Sequence, residues 1–153
     1  MSNYSLNRGG RDDLDLIKPL WEKLNAMHRD LSVHFSERHK LMHWENRKLK
    51  LLEKSAGIIV DYAENSNHEI IGYCISTVDK DDPKTGEIDS LYIEEAYRRS
   101  GIGKAFMTRA MEWLDSKGTE TQKIMVAVGN ERVLDFYEQY GFYPMHLVLQ
   151  RKI

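Results

Sequence analysis

The run Arg98-Arg99-Ser100-Gly101-Ile102-Gly103-Lys104 joins a β-prone segment, Ile88 to Ile93, to a helix in which Ile102, Phe106, Ala110, Trp113 and Leu114 recur at helical spacing. The chemistry open to such a junction is phosphate binding. The first N–H groups of a helix have no intrahelical partner and lie at its positive end, so a diphosphate there gains several charge-assisted hydrogen bonds. Gly101 and Gly103 let the backbone approach a ligand, and Arg98, Arg99 and Lys104 add positive charge. A P-loop would need Gly in place of Arg98 and Ser or Thr in place of Ala105; a dinucleotide-binding fingerprint would need Gly in place of Phe106. Neither fits. On these residues alone, a capped turn that binds nothing stays open beside the phosphate reading.

Other chemistry-bearing residues give less. His39 and His43 lie four apart on a predicted helix, with His28 and His34 nearby, but no Cys or acidic ligand stands at diagnostic spacing. No metal site is expected. Cys74, the single cysteine, excludes an intramolecular disulfide and falls inside a predicted strand, where a buried inert thiol is expected.

These residues need a scaffold. A chain of 153 residues fits one domain, read as 1–153 with a loose polar lead over 1–12. A net charge of −2 argues against nucleic-acid binding, and no apolar run approaches the roughly 20 residues of a membrane span. With no signal-peptide core at the start, a cytoplasmic location is expected. Leu14, Ile17, Leu20, Leu24 and Leu31 mark a first helix that Pro19 kinks or starts late, and about Glu37 to Lys54 reads as a second, basic one. Segments 58–62 and 69–78 flank a turn-like cluster, implying a hairpin. Strand 86–93, helix 101–117 ending at Gly118, and a nearly all-apolar strand 123–128 follow. Asn130 then caps a helix stopping at Gly141, and 142–153 reads as a strand or strand pair. The order ααββ, βαβα, β predicts an α/β domain (α+β mixed sheet), a central mixed sheet flanked by helices, with its ligand at the crossover.

Two blocks resemble a known family. Ile88-Asp89-Ser90-Leu91-Tyr92-Ile93 followed by Tyr97 to Lys104 resembles motif A of the GCN5-related N-acetyltransferases, and Asn130 to Phe142, with Tyr137 shortly before Gly141-Phe142, resembles their motif B. The resemblance implies the acyl-CoA N-acyltransferase fold of that family, with acetyl-CoA as cosubstrate and no metal. It further implies a cleft where strands 88–93 and 123–128 splay apart. Main-chain groups of Leu91, Tyr92 and Ile93 would bond the pantetheine like an added strand, and amides from Arg99 to Lys104 would hold the pyrophosphate. Asn130 would contact the pantetheine. Relatives are often dimers, so a homodimer is expected.

Acetyl transfer to an amine needs a neutral nitrogen, a stabilised oxyanion and a protonated leaving thiolate. A backbone N–H near Leu91 or Tyr92 could serve the oxyanion, such a donor being worth about 3 kcal/mol. Tyr137, at the position of the family's usual acid, is the candidate acid, with Tyr140 as the alternative. Asp89 is the candidate base, at a position where some relatives carry an acidic residue, and Glu87 is its rival; by the two-residue period both share a face with Leu91. Trp21, Phe35 and Trp44 line either the acceptor pocket or the core. Seven acidic residues between Asp79 and Glu95 could draw in a cationic amine, whereas the basic helix at 37–54 favours an acceptor that also carries an anionic group. The expected function is an N-acetyltransferase moving acetyl to a primary amine by direct attack in a ternary complex. A non-catalytic acyl-CoA sensor and an enzyme using a longer acyl-CoA are the alternatives.

Overall fold

A computed structural model describes residues 3–153. Five strands form one sheet in the order β1 (Tyr4–Gly9), β2 (Ser55–Asn65), β3 (Ile70–Asp79), β4 (Thr85–Ile93), β5 (Thr121–Ile124). The first four pair antiparallel; β5 joins β4 in parallel after the crossover through α4 (Ile102–Ser116). The mixed sheet of the expectation is therefore present. β3 is buried almost end to end because both faces of the sheet are covered, which is why its sequence reads as a continuous apolar run.

Two helical layers make two cores. On one face, a 3₁₀ turn (Arg11–Ile17), α1 (Lys18–Leu31) and α3 (Trp44–Lys54) bury Leu14, Ile17, Trp21, Trp44 and Leu51 against Val60, Tyr73 and Ile75. On the other, Ile102, Phe106, Met107, Ala110 and Leu114 of α4 pack on Ala63, Cys74, Val78 and Ile88. Pro19 sits in the first turn of α1, where its missing N–H costs nothing, so the preceding stripe forms a 3₁₀ turn and not a kinked helix.

Several expectations change. Residues 4–9 of the supposed loose lead form β1, held to β2 by Arg8, which donates two hydrogen bonds to the fully buried carboxylate of Asp61 at 2.8 and 3.0 Å. Residues 1 and 2 of that lead lie outside the described residues. The second helix is two pieces, α2 (Ser36–Lys40) and α3, because His43 is extended and starts a new helix. The strand at 123–128 ends at Ile124, and the helix after Asn130 is a 3₁₀ turn (Glu131–Val133) followed by the short α5 (Leu134–Glu138). The expected final strand is not formed: residues 143–153 join no ladder. Pro144 lacks the N–H a ladder needs, and a four-residue β5 offers little edge to pair with.

Candidate active site

The cleft arises from a mismatch between two ladders. β4 pairs with β3 as far as Ile93, but its pairing with β5 stops at Ile88 opposite Ile124. From Asp89 to Ile93 the second edge of β4 has no strand beside it, and a cavity of about 810 Å³ opens there. Its walls come from β4, the 125–127 segment, the glycine turn, α1, α2 and α5. Open main-chain groups on a buried edge must find partners, so this edge is suited to an extended ligand with amides of its own.

At one end stands the glycine turn. Arg99 and Gly101 both take positive φ, 64° and 89°, curling the chain before α4 begins at Ile102. Such curled backbone turns its N–H groups toward one point and favours anions. Arg98 donates from Nε to the Ile93 carbonyl at 2.9 Å and lies over the Tyr92 ring, which ties the turn to the open end of β4. Ser100 donates its hydroxyl to the Tyr97 carbonyl, so it braces the turn. A Cβ on Gly103 would lie 3.2 Å from the Phe136 ring, so the glycine permits close seating of α4 on α5.

Asn130 is buried, lines the cavity, and its side-chain oxygen has no hydrogen-bond partner. A buried orphan acceptor is costly unless a ligand donor reaches it. Tyr137 also lines the cavity, edge-on to Phe136 at 5.3 Å between ring centres; burial raises its phenol well above the usual tyrosine range and keeps it protonated. Tyr140 packs on the other side of Phe136 and reaches the same wall.

Asp89 sits on a β-bulge. Ile75 faces Ser90 and Ser76 faces Ile88, leaving Asp89 as the extra residue. The bulge breaks the two-residue period: Asp89 bonds Thr77 on the α1 and α3 face, whereas Leu91 packs with the α4 core. Glu87 and Asp89 thus share a face through Lys54, but Leu91 lies on the opposite one, a correction to the simple alternation. The Asp89 carboxylate is fully buried, paired with Lys54 and accepting from Thr77 Oγ1 at 2.5 Å. Burial first, then the neighbouring Glu87 charge, push its carboxyl up to about 6 against the pull of Lys54.

The family model for the acetyltransferase (GNAT) family matches residues 20–142. The chain belongs to that family. An uncharacterized N-acetyltransferase of Methanocaldococcus jannaschii is 22% identical over 97% of this chain, which spans only 64% of that relative's length. A glucosamine 6-phosphate N-acetyltransferase of Trypanosoma brucei brucei is 26% identical over 86% of this chain and 91% of its own. Among solved structures, an aminoglycoside acetyltransferase from an uncultured soil metagenomic sample superposes with a TM-score of 0.62 at 22% identity, covering 97% of this chain and 94% of its own. At that identity the likeness speaks for the fold.

The GNAT chain brings most of the residues singled out in its sequence to one cavity. Asp89, Leu91, Tyr92, Ile93, Gly101, Gly103 and Lys104 line it together with Asn130 and Tyr137, as do Arg98 and Arg99; Ser100 and Ile102 do not, the latter being buried in the core between α4 and the sheet. Trp21 reaches the cavity, whereas Trp44 is core, its indole N–H donating to Asp15 at 2.8 Å, and Phe35 lies outside. His28 and His39 line it with ring centres 5.7 Å apart; His34 and His43 do not. Sequence reasoning missed Arg47, Lys54 and Thr77, the neighbours of Asp89. The spacing of Arg47 and Lys54, two turns apart on α3, was the available signal. Among the described residues no cluster of His, Cys, Asp and Glu could hold a metal ion, and no helix is long and apolar enough to cross a membrane.

Proposed function

We propose that this GNAT domain transfers acetyl from acetyl-CoA to a primary amine by direct attack in a ternary complex. The observation that carries the proposal is the unpaired edge of β4 from Asp89 to Ile93, lying in one cavity with a curled, cation-flanked helix start and a half-buried protonated phenol. In this reading the amides of 99–104 take the pyrophosphate, while the main chain of Leu91, Tyr92 and Ile93 bonds the pantetheine. The Asn130 oxygen accepts from a pantetheine amide. That residue's orphan acceptor supports the fit on grounds independent of the motif.

The chemistry then follows from the protons. The amine loses one proton, through water, to Asp89, which is mostly ionised at pH 7 yet basic enough to accept. Its nitrogen forms a bond to the thioester carbonyl carbon, and the oxyanion is held by a β4 main-chain N–H near Leu91 or Tyr92. Collapse breaks the C–S bond, Tyr137 gives its proton to the departing thiolate, and the second proton that the nitrogen sheds on becoming an amide returns to the Tyr137 oxygen. A homodimer belongs to the same proposal and rests on the family resemblance alone.

Release of free CoA, followed with a thiol reagent across a panel of amines, tests the reading. Acceptor-dependent thiol is expected; binding of acetyl-CoA with no acceptor-dependent thiol would make the domain an acyl-CoA sensor.

A further inference from the structure

The acceptor end of the cleft has a charge bias that bears on what the second substrate carries; the inference rests on the acetyl-transfer reading above. Among the side chains that line the cavity, Asp89 is the single carboxylate, against Arg98, Arg99 and Lys104 at the glycine turn and Arg47 and Arg132 elsewhere. The acidic run at 79–95 does not supply others. Asp79 caps the backbone of Asp81 and Asp82, Asp82 accepts from Thr85, and Glu94 pairs with Lys23 at 2.7 Å. Asp89 itself is occupied by Lys54 and Thr77.

Arg47, by contrast, is poorly neutralised. Its nearest carboxylate oxygen, on Asp89, is 4.0 Å away, and its one recorded hydrogen bond goes from Nη2 to the Asp89 main-chain carbonyl at 3.3 Å. A guanidinium has five N–H donors, so most of its fork is unspent. Lys54 takes up Glu87 and Asp89 and Lys123 also reaches Glu87, so the nearby carboxylates are engaged by lysines before Arg47. Arg132, elsewhere on the cavity wall, has its Nη2 3.2 Å from the Met27 thioether on α1, a weak acceptor that removes no charge. His28 and His39 reach the same cavity from α1 and α2, and burial lowers the pKa of both imidazoles, which favours their uncharged form. His39 Nδ1 is itself buried with no partner.

We infer that the acceptor is a small amine that also carries an anionic group, carboxylate or phosphate, and that Arg47 holds that group. A polycationic amine would bring several ammonium groups to a wall with one engaged carboxylate and two under-neutralised guanidinium groups. An anion on the acceptor instead completes the Arg47 fork, where bidentate pairing is strong and geometrically selective.

The test is calorimetric titration of the CoA-loaded protein with matched probes: glucosamine 6-phosphate against glucosamine, alanine against alaninamide, and spermidine. At least one anion-bearing member should bind tenfold or more tighter than its twin without the anionic group, and which pair responds distinguishes phosphate from carboxylate. In Arg47→Gln the ratio within that pair should fall to near one, and in Arg47→Lys to an intermediate value; a ratio is insensitive to partial loss of folded protein, and the lysine variant serves if the glutamine variant does not fold. Equal binding within both pairs, tighter binding of spermidine, no binding by any probe, or an unchanged ratio in both variants would overturn the inference. An anionic probe that binds as expected while no amine gives acceptor-dependent thiol would overturn the acetyl-transfer reading and leave the anion site standing.

Discussion

Arg47 on α3 donates from Nη2 to the main-chain carbonyl of Asp89 on β4, across 3.3 Å. That carbonyl belongs to the extra residue of a bulge, so the sheet ladder gives it no regular partner and a helix side chain supplies one. The consequence runs in both directions. The bulge turns Asp89 and Ser90 onto one face and Leu91 onto the other, and the helix that braces it also brings Lys54 to the same carboxylate.

Tyr137→Phe removes one oxygen from a cavity wall and leaves the ring packing against Phe136 in place. Turnover should fall by roughly 10² to 10⁴-fold if the phenol protonates the leaving thiolate. The affinity for acetyl-CoA, measured by calorimetry, should change little. Unchanged turnover would remove Tyr137 from this role and turn attention to Tyr140.

Asp89 should leave its mark on two pH profiles. Its carboxyl is raised to about 6 in the folded chain from an ordinary value near 3.8, so between those values the folded state binds more protons than the unfolded. By linkage, Asp89 lowers stability as pH rises through that window, by up to about 3 kcal/mol once both states are ionised. Urea unfolding of Asp89→Asn should lose this component between pH 4 and 6. The rate limb with an apparent pKa near 6, expected in kcat/KM of the parent chain, should vanish in the same variant.

Lys54→Met leaves the Asp89 carboxylate buried without its principal cation. Removing one partner of a buried pair costs on the order of 3 kcal/mol, and here Lys54 is part-exposed, so a smaller loss in urea unfolding is expected at pH 7. The activity limb should move to higher pH, since less positive charge favours the protonated carboxyl.

Asn130→Ala separates binding from folding. The buried side-chain oxygen has no partner in the protein, so its removal should not destabilise the fold through a lost hydrogen bond. If a pantetheine N–H is its partner, acetyl-CoA affinity should fall about tenfold, a hydrogen bond of about 1 kcal/mol or somewhat more. Calorimetry and thermal unfolding of the same sample check both halves. Equal acetyl-CoA affinity in the two proteins would contradict the placement.

Much of this site was legible before folding because its parts are local. The glycine turn, the helix behind it and the Asn130 to Phe142 block each declare themselves within about fifteen residues, and the hairpin of β2 and β3 follows from two β-prone segments around a polar turn. What escaped is non-local. The β1 strand is polar and short, and it joins the sheet through the Arg8 to Asp61 pair across 53 positions and the packing of Tyr4 and Leu6 on the α4 core. The bulge at Asp89 leaves no trace in hydropathy, so the side-chain period placed Leu91 on the wrong face. The tail after Phe142 has the alternation of a strand but lacks a long enough neighbouring edge, which depends on where β5 ends.

The proposed mechanism requires the open edge of β4 and the glycine turn together to hold acetyl-CoA. A crystal structure of the chain with acetyl-CoA tests it most directly. Pantetheine should be bonded to the main chain of Leu91, Tyr92 and Ile93, with the diphosphate against the amides of residues 99–104. Coenzyme bound elsewhere, or an edge from Asp89 to Ile93 that stays vacant at saturating acetyl-CoA, would contradict it.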